Sequence, residues 1–119
     1  MNLTVKLNLN LTSNDLRSVI DDEVVTYANE QFYRDSQKYL PYKTGALMDT
    51  VRVDEKGVHY LQWYAQNVYV GINPATGKPY RFRKTYHPLA TDYWDEAFVL
   101  NEYDAFLRKI EGFIRDRKL

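Results

Sequence analysis

The chain has 119 residues, with 16 lysines and arginines against 16 aspartates and glutamates, and no cysteine. Zero formal charge argues against a polybasic protein held to nucleic acid mainly by phosphate attraction. The lack of cysteine removes disulfide scaffolds, zinc fingers and thiol nucleophiles. At this length one core is feasible, so one domain over residues 1–119 is expected. The composition is that of an ordinary soluble protein except in tyrosine: 11 Tyr, 5 Phe and 2 Trp bring aromatic residues to 15%. Tyrosine is amphipathic and enriched where proteins meet other proteins.

Met1 is followed by neither a basic segment nor a continuous apolar one, so no export signal is expected. No apolar stretch reaches the length of a membrane span. Without export, the sequons at Asn2-Leu3-Thr4 and Asn10-Leu11-Thr12 read as chance matches.

Residues 2–11 alternate strictly. Leu3, Val5, Leu7, Leu9 and Leu11 point one way and Asn2, Thr4, Lys6, Asn8 and Asn10 the other, which predicts a half-buried strand. Thr12-Ser13-Asn14-Asp15 carries helix-start chemistry. Leu16, Val19, Ile20, Val24, Tyr27, Ala28, Gln31 and Phe32 then recur at threes and fours. This predicts one long helix ending near Tyr39 or Leu40, because Pro41 disfavours helix in the residue before it.

Pro41 to Gly45 reads as loop and Leu47 to Val53 as a strand. Asp54-Glu55-Lys56-Gly57 has turn chemistry, with Gly57 free to take positive φ. Val58 to Leu61 returns as the second hairpin strand. Trp63 to Val70 fits either a strand or a short helix. Gly71 to Pro79 reads as loop. Pro88 and Thr91-Asp92 precede a last helix, with an apolar side including Leu89, Tyr93, Trp94, Phe98, Leu100, Ala105, Phe106, Ile110 and Ile114 and a break near Asn101. The pattern is α+β: an N-terminal strand, a long helix, a β-hairpin or small antiparallel sheet, and a C-terminal helix packed on the sheet.

Catalytic patterns fail on inspection. Gly71 to Pro79 resembles a phosphate-binding loop, but five residues separate Gly71 from Gly77 where four are required, and Pro79 stands where a hydroxyl belongs. His59 and His87 lack metal-ligand spacing. Asp21-Asp22-Glu23 cannot converge on a helix and reads as a solvated face. Asp92, Asp95 and Glu96 read as helix-start acids. A small nuclease-like enzyme using Asp92, Asp95 and His87 is the weakest reading. Neither a cofactor nor a metal is expected.

The segment 78–87 interleaves Lys78, Arg81, Arg83, Lys84 and His87 with Tyr80, Phe82 and Tyr86, and no acid lies between Glu55 and Asp92. If extended, Arg81 and Arg83 project together, opposite Tyr80, Phe82 and Lys84. Three readings stay open: a grip on single-stranded nucleic acid by charge and stacking, a contact with an acidic protein, or a solubilising strand. The interface residues singled out are Lys78, Arg81, Phe82, Arg83, Lys84 and Tyr86.

An ordered set of short motifs runs through the middle of the chain. Pro41 precedes Thr44-Gly45-Ala46-Leu47. Tyr64-Ala65-Gln66-Asn67-Val68-Tyr69-Val70-Gly71 follows the hairpin, and Pro88-Leu89-Ala90-Thr91 leads to Trp94-Asp95-Glu96-Ala97. The set resembles the minor capsid and head–tail joining proteins of tailed bacteriophages, a group that includes tail-completion proteins. Val70-Gly71-Ile72 departs from the acidic residue that often precedes this glycine in that group. The resemblance implies a structural virion protein, not an enzyme, made in the host bacterial cytoplasm and placed in the neck. It implies a ring, a hexamer in the virion, between the connector or adaptor and the tail tube. Its partners are then itself and those proteins, with DNA passing through unread and no membrane contact. Pro41, Thr44, Gly45, Leu47, Tyr64, Ala65 and Trp94 are the positions that define the motif. A nucleic-acid-binding module using residues 78–87 is the alternative function.

Overall fold

The computed structural model describes residues 3–11, 16, 19–41, 50–82 and 87–118, with only the backbone of Lys118. The expected helix start at 12–15, most of the Pro41–Gly45 loop, and Thr44, Gly45 and Leu47 lie outside the described residues, as do Arg83, Lys84 and Tyr86.

Three strands form an antiparallel sheet in the order β1-β3-β2, where β1 is Leu3–Val5, β2 is Val51–Asp54 and β3 is Gly57–Tyr60. The register sets Leu3 and Val51 opposite Tyr60, and Val5 and Val53 opposite Val58. Side chains alternate along a strand, so these six residues share the face turned to the core, while Thr4, Arg52 and His59 share the other. Only three residues of the alternating N-terminal run pair as strand. Its alternation persists beyond them: Leu7 and Leu9 are half-buried and Leu11 is buried, whereas Lys6, Asn8 and Asn10 are exposed. The hydroxyl of Tyr103 ties this unpaired stretch down, donating to the Asn8 carbonyl at 2.5 Å and accepting from the Asn10 amide at 3.1 Å.

The turn between β2 and β3 is closed by Asp54, whose Oδ1 accepts from the Lys56 amide at 2.9 Å. Gly57 has φ +144°, as its sequence context predicts, and sits against β1. Asn29, buried in the helix above, donates to the Asp54 carbonyl at 2.8 Å and fixes the hairpin under that helix.

The expected long helix is interrupted: Leu16 is helical, the Val19 amide turns back to the Leu16 carbonyl at 3.3 Å, and a helix restarts after Asp21. Helix α1 is Asp22–Asp35, followed by a 3₁₀ turn at Gln37–Tyr39. Asp21 is its N-cap: the backbone there is extended and the side chain accepts from the Val24 amide at 3.0 Å. The acid run is solvated, as read, and is also a helix start, where carboxylates satisfy orphan amides and suit the positive helix end. Leu40 is already extended before Pro41, so the stop at the proline falls where expected.

Helix α2 is Ala65–Val70, which resolves the ambiguous segment as helix, and Gly71 ends it in the left-handed conformation at φ +79°. The expected loop from Gly71 to Pro79 contains a small ladder of β4, Ile72–Asn73, with β5, Lys78–Pro79.

Helix α3, Trp94–Lys118, runs unbroken past Asn101, whose side chain donates back to the Ala97 carbonyl at 2.8 Å. Trp94, Phe98, Phe106, Ile110 and Ile114 are buried on one stripe of four-residue steps. Leu100 lies about 200° around the helix from Phe98 and is 85% exposed. Leu100, Ala105, Leu89 and Tyr93 thus fall outside the apolar side to which sequence assigned them. The stripe packs against α1 through Phe32, whose ring meets Phe98 edge-on at 5.2 Å, and against β3 through Tyr60 and Trp94 at 5.3 Å. The molecule is elongated, 52 × 24 × 21 Å. No described helix is long and apolar enough to cross a membrane.

Candidate interaction site

The residues around Trp94 form a clamp that positions the basic segment. Tyr93 takes positive φ (+42°) and its amide donates to the Tyr69 carbonyl at 2.8 Å. The Tyr69 hydroxyl donates to Asp95 Oδ1 at 2.6 Å. Burial and the Asp95 carboxylate both push the Tyr69 phenol up. Gly71 lies so close to Asp92 that a Cβ there would come within 2.9 Å of the Asp92 Cβ. On the other side the Thr91 amide donates to the Tyr39 carbonyl at 3.0 Å, and His87 Nδ1 donates to the Leu40 carbonyl at 2.7 Å. The end of α2, the end of the 3₁₀ turn and the start of α3 are thereby joined.

From this clamp the β4–β5 ladder projects. The Tyr80 amide returns to the Gly71 carbonyl at 2.8 Å. Residues Pro74 to Pro79 are exposed, and no atom lies within 4 Å of the position a Cβ would take at Gly77. Lys78 and Arg81 are exposed, while Tyr80 and Phe82 are half-buried with their rings stacked at 6.0 Å and 27°. Tyr80, Arg81 and Phe82 alternate as expected of an extended segment, whereas Lys78, on the parity of Tyr80 and Phe82, is exposed. His87 belongs to the clamp and not to the exposed surface.

The other motif positions are structural neighbours of the core. Pro41 is buried. Tyr64 is the N-cap residue of α2 and packs on the core, Ala65 is fully buried beneath it, and Trp94 is fully buried. Trp94 Nε1 donates to the Tyr60 hydroxyl at 3.2 Å. Burial raises the Tyr64 and Tyr60 phenols.

Sequence reasoning passed over three features. Trp63 is 72% exposed beside Tyr64. A groove at the far end of α3 is lined by Asp22, Glu23, Thr26, Tyr27, Glu30 and Phe113. Beside it Arg117 links the two helix ends, with Nη1 at 3.0 Å from both Asp21 carboxylate oxygens and 3.3 Å from Glu23 Oε2, and Nη2 donating to the Val19 carbonyl at 3.2 Å. The Val24 amide and then Arg117 hold the Asp21 carboxyl below its ordinary value. The only sequence signal for this pairing is the basic end of the last helix.

The potential chemical groups are otherwise engaged. His59 Nε2 lies 2.7 Å from Asp54 Oδ1, and its Nδ1 lies 2.9 Å from Thr4 Oγ1. The His59 hydrogen bond lowers the Asp54 carboxyl. Asp92 accepts from the Thr91 hydroxyl and Asp95 from Tyr69. Among the described residues no three His, Cys, Asp or Glu stand together as metal ligands.

The fold defines a small α+β protein with a three-stranded antiparallel sheet packed against two helices. A family model described as minor capsid protein matches residues 9–112, and the chain belongs to that family: it is a bacteriophage structural protein, a component of the virion. No curated protein and no solved structure matched the chain.

Proposed function

We propose that this minor capsid protein works in the neck, as a head–tail joining or tail-completion protein that forms a ring between connector and tail tube. The observation that carries the reading is the distribution of exposed apolar groups. Trp63 at 72%, Leu89 at 53% and Leu100 at 85% exposure stand on a body already closed around its own core. Large apolar side chains left in water are suited to burial against other proteins. The ordered motifs from Pro41 to Ala97 point to the joining subgroup within the family. The connector and a tail protein are the proposed neighbours, and DNA passes through without being read.

Virions assembled without this protein test the reading. Full heads and separate tails are the expected products under negative stain. Normally joined particles would contradict it. A second reading, binding of single-stranded nucleic acid, draws on Lys78 and Arg81 beside the stacked rings of Tyr80 and Phe82.

A further inference from the structure

We propose that neighbouring copies join head to tail, with the basic arm around Lys78–Phe82 of one copy seated in the aromatic groove between α1 and α3 of the next. The proposal rests on the ring reading and names the contact that builds the ring.

The groove is a shallow, open depression of about 430 Å³. Its floor is the Tyr27 and Phe113 rings, stacked at 4.0 Å and 7°. Three carboxylates rim it. Glu23 shares Arg117 with Asp21, but Asp22 and Glu30 are paired with no described residue. An apolar floor with unpaired acids on its rim calls for a ligand that is both flat and cationic.

The arm has that chemistry. Lys78 and Arg81 are exposed, Tyr80 and Phe82 are stacked beside them, and the arm itself carries no acid, the run from Lys56 to Thr91 being free of them. A guanidinium can meet a rim carboxylate through two parallel hydrogen bonds, while the arm's rings cover the aromatic floor.

The arm cannot fill the groove of its own chain. It springs from the Gly71–Asp92 contact at the start of α3, whereas Phe113 lies 19 residues beyond Trp94, about 28 Å along the helix. The two surfaces are therefore well separated on a body 52 Å long. Complementary surfaces apart on one chain give a contact between unlike faces, which repeats and closes into a ring when the rotation per copy permits. Zero net charge fits this arrangement, because each copy carries both halves of the contact and copies do not repel.

The test uses the full chain and two charge-reversal variants, Lys78→Glu with Arg81→Glu on the arm and Asp22→Lys with Glu30→Lys on the groove. All four positions are exposed, and circular dichroism confirms folding of each. In sedimentation at low salt, up to about 1 mM, the parent chain is expected to self-associate and to dissociate as salt is added. Each variant alone is expected to associate at least about tenfold more weakly. Mixed together they should regain association, because the intact arm of one variant meets the intact groove of the other and the reversed arm meets the reversed groove. The chain carrying all four reversals should regain association.

A parent that stays monomeric at that concentration overturns the proposal, as does a mixture that stays monomeric or a variant that associates like the parent. A monomeric parent that binds a single-stranded oligonucleotide through Lys78 and Arg81 overturns it in favour of the nucleic-acid reading. Particle composition is independent of these outcomes: a neck location with no arm–groove contact rejects this contact alone, and salt-sensitive association in a protein absent from the neck rejects the location alone.

Discussion

Replacing Trp94 with alanine is expected to lower the unfolding free energy by about 3–5 kcal/mol. That is a large share of the roughly 5–15 kcal/mol that holds a domain of this kind together. The side chain is fully buried. Its ring meets Tyr60 edge-on at 5.3 Å and Tyr69 at 5.0 Å, so truncation empties the joint between the sheet, α2 and α3. The indole also donates to the Tyr60 hydroxyl, and the loss leaves that buried hydroxyl short of a partner. Trp94→Phe separates the two effects: it retains an aromatic filling, removes the hydrogen bond, and is expected to cost about 1–3 kcal/mol. Urea denaturation of the three proteins measures both. A loss below about 1 kcal/mol for alanine would mean that the joint does not hold the fold.

Gly57→Ala is expected to be the most damaging single-methyl change. Its φ of +144° is rarely open to residues with a side chain. A Cβ would stand 2.7 Å from the Val5 carbonyl oxygen and 3.0 Å from Thr4 Cγ2. The backbone strain costs about 1–3 kcal/mol, and the overlap adds about 1–3 kcal/mol. The carbonyl cannot rotate away as a side chain can, so β1 must leave the register that pairs Leu3 with Tyr60 and Val5 with Val58. Thermal unfolding checks the loss, and faster amide exchange in Leu3–Val5 locates it. Gly112→Ala is the contrast: nothing lies within 4 Å of a Cβ there, inside α3, and a gain of about 0.8–1 kcal/mol is expected. Equal effects at the two glycines would refute the assignment of Gly57 to a close approach.

These two residues also mark what was readable in sequence. Gly57 stands in a four-residue turn signal, and the strands on both sides follow from local alternation. The four-residue stripe of α3 identifies Trp94, Phe98, Phe106, Ile110 and Ile114 as core. The same periodicity misled at α1, because apolar spacing continues across Asp21 while the backbone does not. A cap is a local event of one carboxylate and one amide, and a moment averaged over a helix does not register it. Leu100 misled for the opposite reason: hydrophobic character assigned it inward, and its angular position puts it in water.

The candidate site was half readable. Lys78 to Phe82 announces itself by composition within a few residues. The groove does not, because it forms where Tyr27 and Phe113 stack across 86 positions of sequence, each of them an ordinary apolar position on its own helix. The same is true of Arg117 reaching Asp21. The charge balance of 16 against 16 conceals local groupings: Asp22, Glu23 and Glu30 rim the groove, while Lys78 and Arg81 are exposed on the arm.

We propose a structural role in the neck. Its most direct measurement is the position of this protein in purified virions, read by cryo-electron microscopy of particles carrying a small tag at the C-terminus of the chain. The account predicts tag density in a ring at the junction of head and tail. Tag density on the capsid shell or along the tail, or particles that hold none of the protein, would contradict it.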